Sequence, residues 1–240
     1  MELKRGILNK RNGENMVKDS YIMRLIHIEE LKEVVLLQNF VYENLSNKQI
    51  LYTDSYDEMR TDMELGAKVI GIFNSNNQLI GYRYIAFPGL SNRNLGNDIH
   101  LPESEFEKVV HLETTVVHPD YRGNNLQSMT LQEVIRLTKN LGYKHLMCTV
   151  SPFNLFSLFN NMKNGLKIKA LKEKYQTGKD INDGLYRFIL HRELEPIKTI
   201  QPIQSFSVSL DDFKAQEYLI NEGFIGFSLF KENKLLNYIR

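Results

Sequence analysis

The chain has 240 residues, 42% of them hydrophobic and 25% charged, which is typical of a globular protein with one large domain or a domain with an appendage. Its 30 Lys and Arg residues almost balance its 29 Asp and Glu residues, and this balance argues against a broad nucleic-acid-binding face. The single cysteine, Cys148, excludes an internal disulfide and a zinc site built from several thiolates, and it fits a reducing compartment. The N-terminus shows no apolar signal segment, and no apolar run is long enough to span a membrane. We therefore expect a cytoplasmic protein without membrane or nucleic-acid partners.

The first third of the chain contains recognisable elements after a polar start. Residues 1–20 are predicted to form a loose N-terminal arm, followed by a short strand over 21–26. Apolar residues at helical spacing predict a helix over 28–45, and a shorter helix is expected over 55–65. Two β-rich runs joined by the turn residues "NSNN" predict a hairpin within 67–87.

The middle of the chain alternates strands and helices. Residues 88–105 contain prolines and glycines without a clear period and are predicted to be an inserted loop. A strand over 107–117 leads to a helix that begins near Leu126 and ends at Gly142, and the next strand covers 143–150.

The segment "SPFNLFSLFNNMKNG" is predicted to be a helix that begins at Ser151 and Pro152 and ends at Gly165. Its helical spacing gives two stripes. The first is apolar and buried, and comprises Leu155, Leu158, Phe159 and Met162. The second is polar, and comprises Asn154, Ser157 and Asn161.

The C-terminal part is predicted to hold strands near 166–175 and 184–192, then a boundary marked by Pro196 and Pro202. Beyond it we expect a short helix capped by Asp211 and a final β-hairpin. The expected domain organisation is an N-terminal arm (1–20), a main α/β domain (21–195) and a small β-α-β appendage (196–240).

The stretch "VVHPDYRGNNLQ" joins a strand to a helix through unusually adaptable residues. Gly123 accepts positive φ, Asn124 and Asn125 tolerate it better than most residues, and Arg122 adds a positive charge. The helix N-terminus that follows is a suitable place to bind an anion. The pattern is neither a P-loop nor a dinucleotide-binding fingerprint. Two interpretations remain, an ordinary turn or a phosphate-binding loop.

This stretch resembles the acetyl-coenzyme A loop of the GNAT (Gcn-five-related) N-acetyltransferases, which reads R/Q-x-x-G-x-G/A after a strand ending V-x-P. Arg122 falls on the first motif position, and Asn125 and Gln127 fall on the two glycine-type positions. A second match is the family's N-x-x-A/S, carried here by Asn154 and Ser157. The resemblance covers roughly residues 20–194.

The resemblance implies an α/β (α+β) acyl-CoA N-acyltransferase fold. Its central mixed, mostly antiparallel sheet is splayed at the cofactor site and flanked by helices. It also implies acetyl-CoA as cosubstrate and no metal. The implied cofactor-binding residues are Val116, Val117, Arg122, Gly123, Asn124, Asn125, Leu126, Gln127, Asn154 and Ser157.

Two residues of the motif strand are candidates for catalysis. In the family a backbone amide at the end of this strand stabilises the oxyanion, and here that amide belongs to Val117. Strand alternation places Glu113 on the face of Val117, so Glu113 is the candidate general base, through a water molecule. A structural ion pair or a solvated strand face is the alternative for Glu113, and His111 is a weaker candidate base. His111 and His118 are expected to be structural or merely exposed, and Cys148 is expected to be a small core residue.

The predicted activity is transfer of an acetyl group to a primary amine, with a small molecule favoured over a protein lysine or N-terminus as acceptor. Asn161 stands where many relatives carry the tyrosine that protonates the departing thiolate, and an amide is not such an acid. A non-catalytic acyl-CoA sensor with the same fold is therefore the alternative. The sequence specifies neither the acceptor amine nor the choice between monomer and homodimer.

Overall fold

The computed structural model describes residues 1–175, 185–195 and 202–240. The strands of these residues are β1 (Glu2–Asn12), β2 (Asn15–Leu25), β3 (Lys68–Asn74), β4 (Leu79–Ala86), β5 (Val109–Val117), β6 (His145–Val150), β7 (Lys167–Lys174), β8 (Leu185–Glu193), β9 (Ser205–Ser209), β10 (Ile225–Phe230) and β11 (Leu235–Ile239). The α-helices are α1 (Leu31–Glu43), α2 (Tyr56–Glu64), α3 (Leu126–Asn140), α4 (Leu155–Lys163) and α5 (Phe213–Asn221).

The chain forms two compact units. The first unit comprises Met1–Phe87 and Leu112–Leu137, and the second comprises Pro88–His111 and Thr138–Arg240. Strand β5 contributes to both units, because its first three residues belong to the second unit and the rest to the first.

The sheet of the first unit has the order β1-β2-β3-β4-β5. Antiparallel ladders join β1 to β2, β2 to β3 and β3 to β4. Helix α1 packs on β4 and on α2, and a hydrophobic cluster fills the space between helices and sheet. Its buried members include Val34, Met59, Tyr82 and Val116. The cluster packs α1 and α2 against β4 and β5, the strands beside the candidate site.

The N-terminal arm predicted for residues 1–20 is instead a long β-hairpin. Strands β1 and β2 pair from Arg24 opposite Glu2 to Asn15 opposite Asn12. Gly13, at φ 61°, allows the tight turn that joins them. Much of the hairpin is exposed, so its residues lack the apolar alternation by which a half-buried strand is recognised.

The second unit contains the sheet order β5-β6-β8-β7-β10-β11-β9. Strand β5 pairs with β6 in parallel through three residue pairs, of which the last is His111 with Met147. Antiparallel ladders join β6 to β8, β8 to β7, β7 to β10, β10 to β11 and β11 to β9. The predicted mixed α/β fold with a mostly antiparallel sheet is confirmed.

The elements near the C-terminus follow the predicted order of helix and hairpin. Asp212, not Asp211, is the N-cap of α5, because its side chain accepts a hydrogen bond from the N–H of Ala215. Strand β10 pairs with β7 through Gly226 opposite Ile168. Pro196, the first marker of the predicted boundary, lies outside the described residues, and the division into arm, domain and appendage stays a prediction.

The predicted loop 88–105 contains a short 3-10 helix at Leu95–Ile99 and the first part of another at Glu103–Lys108, which leads into β5. Among the residues described, no helix combines the length and the apolar character needed to cross a membrane.

Candidate active site

Strand β5 presents alternate residues to opposite faces at the point where the candidate catalytic groups lie. Thr114 and Val116 are buried, whereas Glu113 is exposed and Val117 is half-buried. Glu113 and Val117 therefore share a face, as the alternation predicted. The carboxylate of Glu113 is exposed on this face.

The main chain at the end of β5 has a defined direction. The N–H of His118 donates a hydrogen bond of 2.8 Å to the carbonyl of Ile80 on β4. Successive N–H groups of an extended chain point to opposite edges of the strand, so the N–H of Val117 points away from β4. This is the direction that the predicted oxyanion donor requires, on the side that is not used for pairing with β4.

The connection from β5 to α3 adopts the backbone expected of a phosphate-binding loop. A short 3-10 helix covers Pro119–Tyr121, and Gly123 and Asn125 then take positive φ angles of 88° and 58°. Helix α3 begins at Leu126, so its N-terminal amides and the positive end of its dipole follow directly. Arg122 and Gly123 are exposed beside this helix N-terminus, whose free amides are suited to an anion.

Tyr121 fixes the first half of this loop to the sheet of the first unit. Its ring is buried, and its hydroxyl donates a 2.5 Å hydrogen bond to Asp19 on β2 and accepts one of 3.1 Å from Asn74 on β3. Burial, together with the hydrogen bond to Asp19, raises the pKa of Tyr121 to about 12. The hydroxyl therefore stays protonated and keeps its role as a donor.

Arg83, which the sequence did not single out, fixes the start of α3. Arg83 is 2% exposed, and its Nε donates to the Thr130 hydroxyl while one terminal nitrogen donates to the Gln127 carbonyl, both at 3.0 Å. A planar guanidinium can make both bonds at once and holds the first turn of α3 against β4. The arginine lies in a β-rich run with little polarity, and a charged residue within such a run is the signal that could have found it.

Asp54 is a second residue that sequence reasoning missed. Its carboxylate accepts a 2.6 Å hydrogen bond from the hydroxyl of Thr114 on β5. Burial raises the pKa of Asp54 to about 6, and the negative charges of Glu113, Glu58 and Asp62 act in the same direction. Asp54 is therefore a second candidate for proton transfer, because its pKa lies near neutrality and its partner Thr114 follows Glu113 in the strand.

Buried tyrosines of β4 lie near Asp54. The Tyr82 hydroxyl donates to Gln38 at 2.9 Å, and Gln38 in turn donates to the main-chain carbonyl of Asp54 at 2.8 Å. Tyr84 donates to Asp62 at 2.6 Å. These bonds join α1, α2 and the segment before α2 to β4, so Asp54 is held in place by its surroundings.

In the second unit the polar stripe of α4 is present, but the helix starts later than predicted. Asn154 is the N-cap, because its Oδ1 accepts the Ser157 N–H at 3.1 Å, and α4 begins at Leu155. A start at Ser151 and Pro152 was therefore wrong. The Ser151 hydroxyl accepts the Phe153 N–H at 3.3 Å and closes a turn before the helix, while the Asn154 amide caps the helix itself.

Asn161 has an unusual hydrogen-bonding state. The side chain is 5% exposed, and its Nδ2 donates to the carbonyl and hydroxyl of Ser157. Because a carbonyl can only accept, the atom facing it must be nitrogen, and the assignment of the amide is fixed. Its Oδ1 is buried and has no hydrogen-bond partner among the described residues. Such an acceptor normally needs a donor, and a ligand could supply one.

The histidines and the cysteine have mainly structural surroundings. The buried His111 accepts a hydrogen bond of 3.1 Å on Nε2 from the Leu95 N–H. His118 stacks on Phe40 with ring centroids 5.1 Å apart, and burial lowers its pKa. Cys148 is buried, as predicted for a small core residue.

The candidate residues thus fall into two groups. Glu113, Val116, Val117 and the loop from Arg122 to Gln127 lie together in the first unit, whereas Asn154 and Ser157 lie in the second. A joint role of the two groups stays a prediction. No group of three or more metal-binding side chains is found in the part of the chain that the structure describes.

Several solved structures that are similar to this chain are named as acetyltransferases. An N-acetyltransferase from Staphylococcus aureus Mu50 matches with a TM-score of 0.55 at 17% identity, over 73% of this chain and 99% of its own. The yncA protein from Salmonella typhimurium, with its cofactor acetyl-CoA, matches with 0.54 at 16% identity, over 75% and 98%. A phosphinothricin acetyltransferase from Sinorhizobium meliloti in complex with acetyl-CoA matches with 0.54 at 16% identity, over 72% and 88%. The fold is that of the acyl-CoA N-acyltransferases.

The model of the acetyltransferase (GNAT) family matches residues 38–159, which include β5, the loop and most of α4. The chain therefore belongs to the GNAT acetyltransferase family. No curated protein matches the chain significantly.

Proposed function

We propose that this protein transfers the acetyl group of acetyl-CoA to a primary amine of a small molecule. The observation that carries the proposal is the loop between β5 and α3. Positive φ at Gly123 and Asn125 turns the backbone directly into a helix N-terminus next to Arg122, an arrangement suited to the diphosphate of coenzyme A.

A further candidate contact for the cosubstrate lies within the second unit. The polar stripe of α4 ends at Asn161, whose buried Oδ1 has no partner in the described parts of the chain. A pantetheine arm carries amide N–H donors that would satisfy such an acceptor. When bound, acetyl-CoA supplies the activated thioester, and no metal is needed for this chemistry.

An ammonium group must lose a proton before it can attack the thioester carbonyl. Glu113, exposed on β5, is the proposed base, acting directly or through water. Asp54 has a pKa raised to about 6 by burial and contributes a second negative charge above that pH. The negative charges of Glu113 and Asp54 interact, and such charge near the acceptor favours a cationic amine over a neutral acceptor such as an alcohol.

Negative charge develops on the carbonyl oxygen during the attack. The main-chain N–H of Val117 is the proposed donor to that oxygen, because it points to the edge of β5 away from β4. Asn161 cannot act as the acid for the leaving thiolate. The proposal assigns this proton to water or to the nitrogen of the attacking amine, which gains a positive charge as the N–C bond forms and loses a proton as the C–S bond breaks.

The test combines calorimetric titration with a free-thiol assay. The wild-type protein is titrated with acetyl-CoA and with coenzyme A, and then incubated with acetyl-CoA and a panel of primary amines, including a peptide with an internal lysine. Binding together with thiol release for one small amine supports the proposal. Release with the peptide alone would make a protein the acceptor, and absence of binding would overturn the assignment of the loop.

A second candidate function is a sensor that binds acyl-CoA without consuming it. Asn161 favours this candidate, because it stands where the resemblance implies an acidic tyrosine. Micromolar or tighter binding of acetyl-CoA, with no thiol released by any amine, would support the sensor.

A further inference from the structure

The β1–β2 hairpin lies outside the residues matched by the family model, which begin at residue 38. It nevertheless touches the proposed diphosphate loop at two places, and every residue involved belongs to the first unit. These contacts assign the hairpin a role that the family motif does not contain.

The first contact is made by the side chain of Asn124, which lies between the two positive-φ residues of the loop. Its Oδ1 accepts the Asn9 N–H at 2.8 Å, and its Nδ2 donates to the Asn9 carbonyl at 2.7 Å and to the Tyr121 carbonyl at 2.9 Å. One amide group thus makes three hydrogen bonds and has little remaining capacity to bind a ligand.

The geometry at Asn9 is that of a neighbouring strand. Asn9 lies opposite Lys18 in the ladder, and its N–H and carbonyl both point to Asn124, so they face the open edge of β1 and not β2. The Asn124 amide therefore pairs with the edge of β1 as a strand residue would, although the two asparagines are 115 residues apart in the sequence.

The second contact is the hydrogen bond from Tyr121 to Asp19 on β2. On β1, Lys10 carries its ammonium 5.9 Å from the centre of the Tyr121 ring. Both strands of the hairpin thus hold the loop, and Lys10 adds a positive charge beside Tyr121, the residue before the exposed Arg122.

We propose that the N-terminal hairpin is a positioning element of the diphosphate site, with Asn124 as its contact. It fixes the loop in the conformation that binds the diphosphate of coenzyme A, so that the loop does not have to be ordered when the ligand binds. The inference rests on the proposed function, because it requires that coenzyme A bind at this loop.

The experiment uses the full chain and two variants that break the contact from opposite sides. Asn124→Ala removes the side-chain amide. Asn9→Pro removes the N–H that faces Asn124, and a proline is tolerated there because this N–H does not pair with β2. The matched control for the proline is Ile7→Pro, at an exposed position two residues earlier on the same edge. The control for the alanine is Asn76→Ala, an exposed asparagine in the turn between β3 and β4.

Binding is measured by calorimetry with two ligands, coenzyme A and S-acetylpantetheine, which lacks the diphosphate. We expect the Kd for coenzyme A to rise about tenfold in Asn124→Ala and Asn9→Pro, the effect of losing one or two hydrogen bonds, and to stay within about twofold in the controls. The Kd for S-acetylpantetheine should not change in any variant. A general loss of structure would weaken the binding of both ligands and lower the melting temperature of the protein. This pattern would count against a positioning role.

The outcomes separate the inference from the proposed function. If the wild-type protein binds coenzyme A and both variants bind it equally well, the positioning role is overturned while the proposed function stands. If the wild-type protein does not bind coenzyme A, both fall together. A tenfold rise in the Kd for coenzyme A, with an unchanged Kd for S-acetylpantetheine, would establish the role of the hairpin.

Discussion

The hydroxyl of Thr114 on β5 donates a 2.6 Å hydrogen bond to the carboxylate of Asp54, which lies just before α2. The bond joins β5, which carries the candidate base Glu113, to the segment before α2. It stabilises the ionised carboxylate, but burial acts more strongly and raises the pKa of Asp54 to about 6. This residue pair therefore gives the protein a group that titrates close to neutral pH.

The raised pKa of Asp54 predicts a pH-dependent stability. In the unfolded chain this carboxyl loses its proton near pH 4, whereas in the folded protein it keeps the proton up to about pH 6. Between these values the folded state binds more protons, so the free energy of unfolding falls as the pH rises from about 4 to about 6. Asp54→Asn should remove this decline and raise the free energy of unfolding at pH 8 by about 1 to 3 kcal/mol. Urea unfolding from pH 4 to 8 measures the free energy of unfolding of the wild-type protein and of Asp54→Asn. Parallel pH dependences of this free energy in the two proteins would refute the prediction.

Glu113 and Asp54 can be separated by kinetics. Glu113→Gln should lower kcat/KM for the amine by about 100-fold, because the exposed carboxylate on the face of Val117 is the proposed base. Asp54→Asn should lower it less than about tenfold, since this carboxylate is held against Thr114. The measurement is kcat/KM from pH 5 to 9. A larger loss in Asp54→Asn would transfer the role of base to Asp54.

Gly123 should affect coenzyme A binding only through its backbone conformation. A Cβ at this position would meet no atom within 4 Å, but φ is 88°, so a valine must strain or shift the loop. Gly123→Val should weaken coenzyme A binding at least about tenfold, with a stability loss of about 1 to 2 kcal/mol. Gly142→Val is the matched control, with φ of 84° and equally open surroundings after α3. Equal affinity of the two variants would argue against a diphosphate site at Gly123.

Arg83 should be sensitive even to a conservative change. Arg83→Lys keeps the charge but cannot donate to Thr130 and Gln127 in the same geometry, and the site is buried. We expect the free energy of unfolding to fall by about 2 to 4 kcal/mol. Arg60→Lys, in an exposed pair with Glu64 on α2, should change it by less than about 1 kcal/mol. Guanidinium unfolding of both variants tests this, and similar losses would contradict the role given to Arg83.

The Asn161 side chain should lower the stability of the protein when no ligand is bound. Its buried Oδ1 has no partner among the described residues, so Asn161→Leu, with the same branching and number of heavy atoms, should raise the free energy of unfolding by about 1 kcal/mol. The same variant should bind coenzyme A more weakly, because the acceptor proposed for the pantetheine arm is gone. Thermal melting and calorimetry give the two values. A loss of stability together with unchanged affinity would show that the amide serves only the helix.

The elements specified by nearby residues were predictable. The hairpin of β3 and β4, the helices α1 and α2 and the positive-φ loop at Gly123 all follow from periodicity and turn residues within a few positions. The family motif is equally local, because a strand end, a flexible loop and a helix start are consecutive in the chain. For this reason the sequence alone pointed to the fold and to the loop.

Other features were decided by partners distant in the sequence. The β1–β2 hairpin carries its turn signal in Asn12 and Gly13, but its polar strands lie at an edge and show little of the period that identifies buried strands. The predicted start of α4 was Ser151, whereas the structure has Asn154 as the N-cap. Both side chains can accept a main-chain N–H, and only the folded chain decides which of them caps the helix.

By itself, then, the sequence determined the local elements and the residues of the motif loop, because hydrophobic period and backbone preference act over short distances. Only the tertiary structure decided that Asp54 meets Thr114, that Arg83 holds the start of α3 and that Asn9 pairs with Asn124. The physical reason is that burial and hydrogen bonding depend on which distant segments pack together. A polar residue's pKa and partners therefore become defined only when the chain has folded.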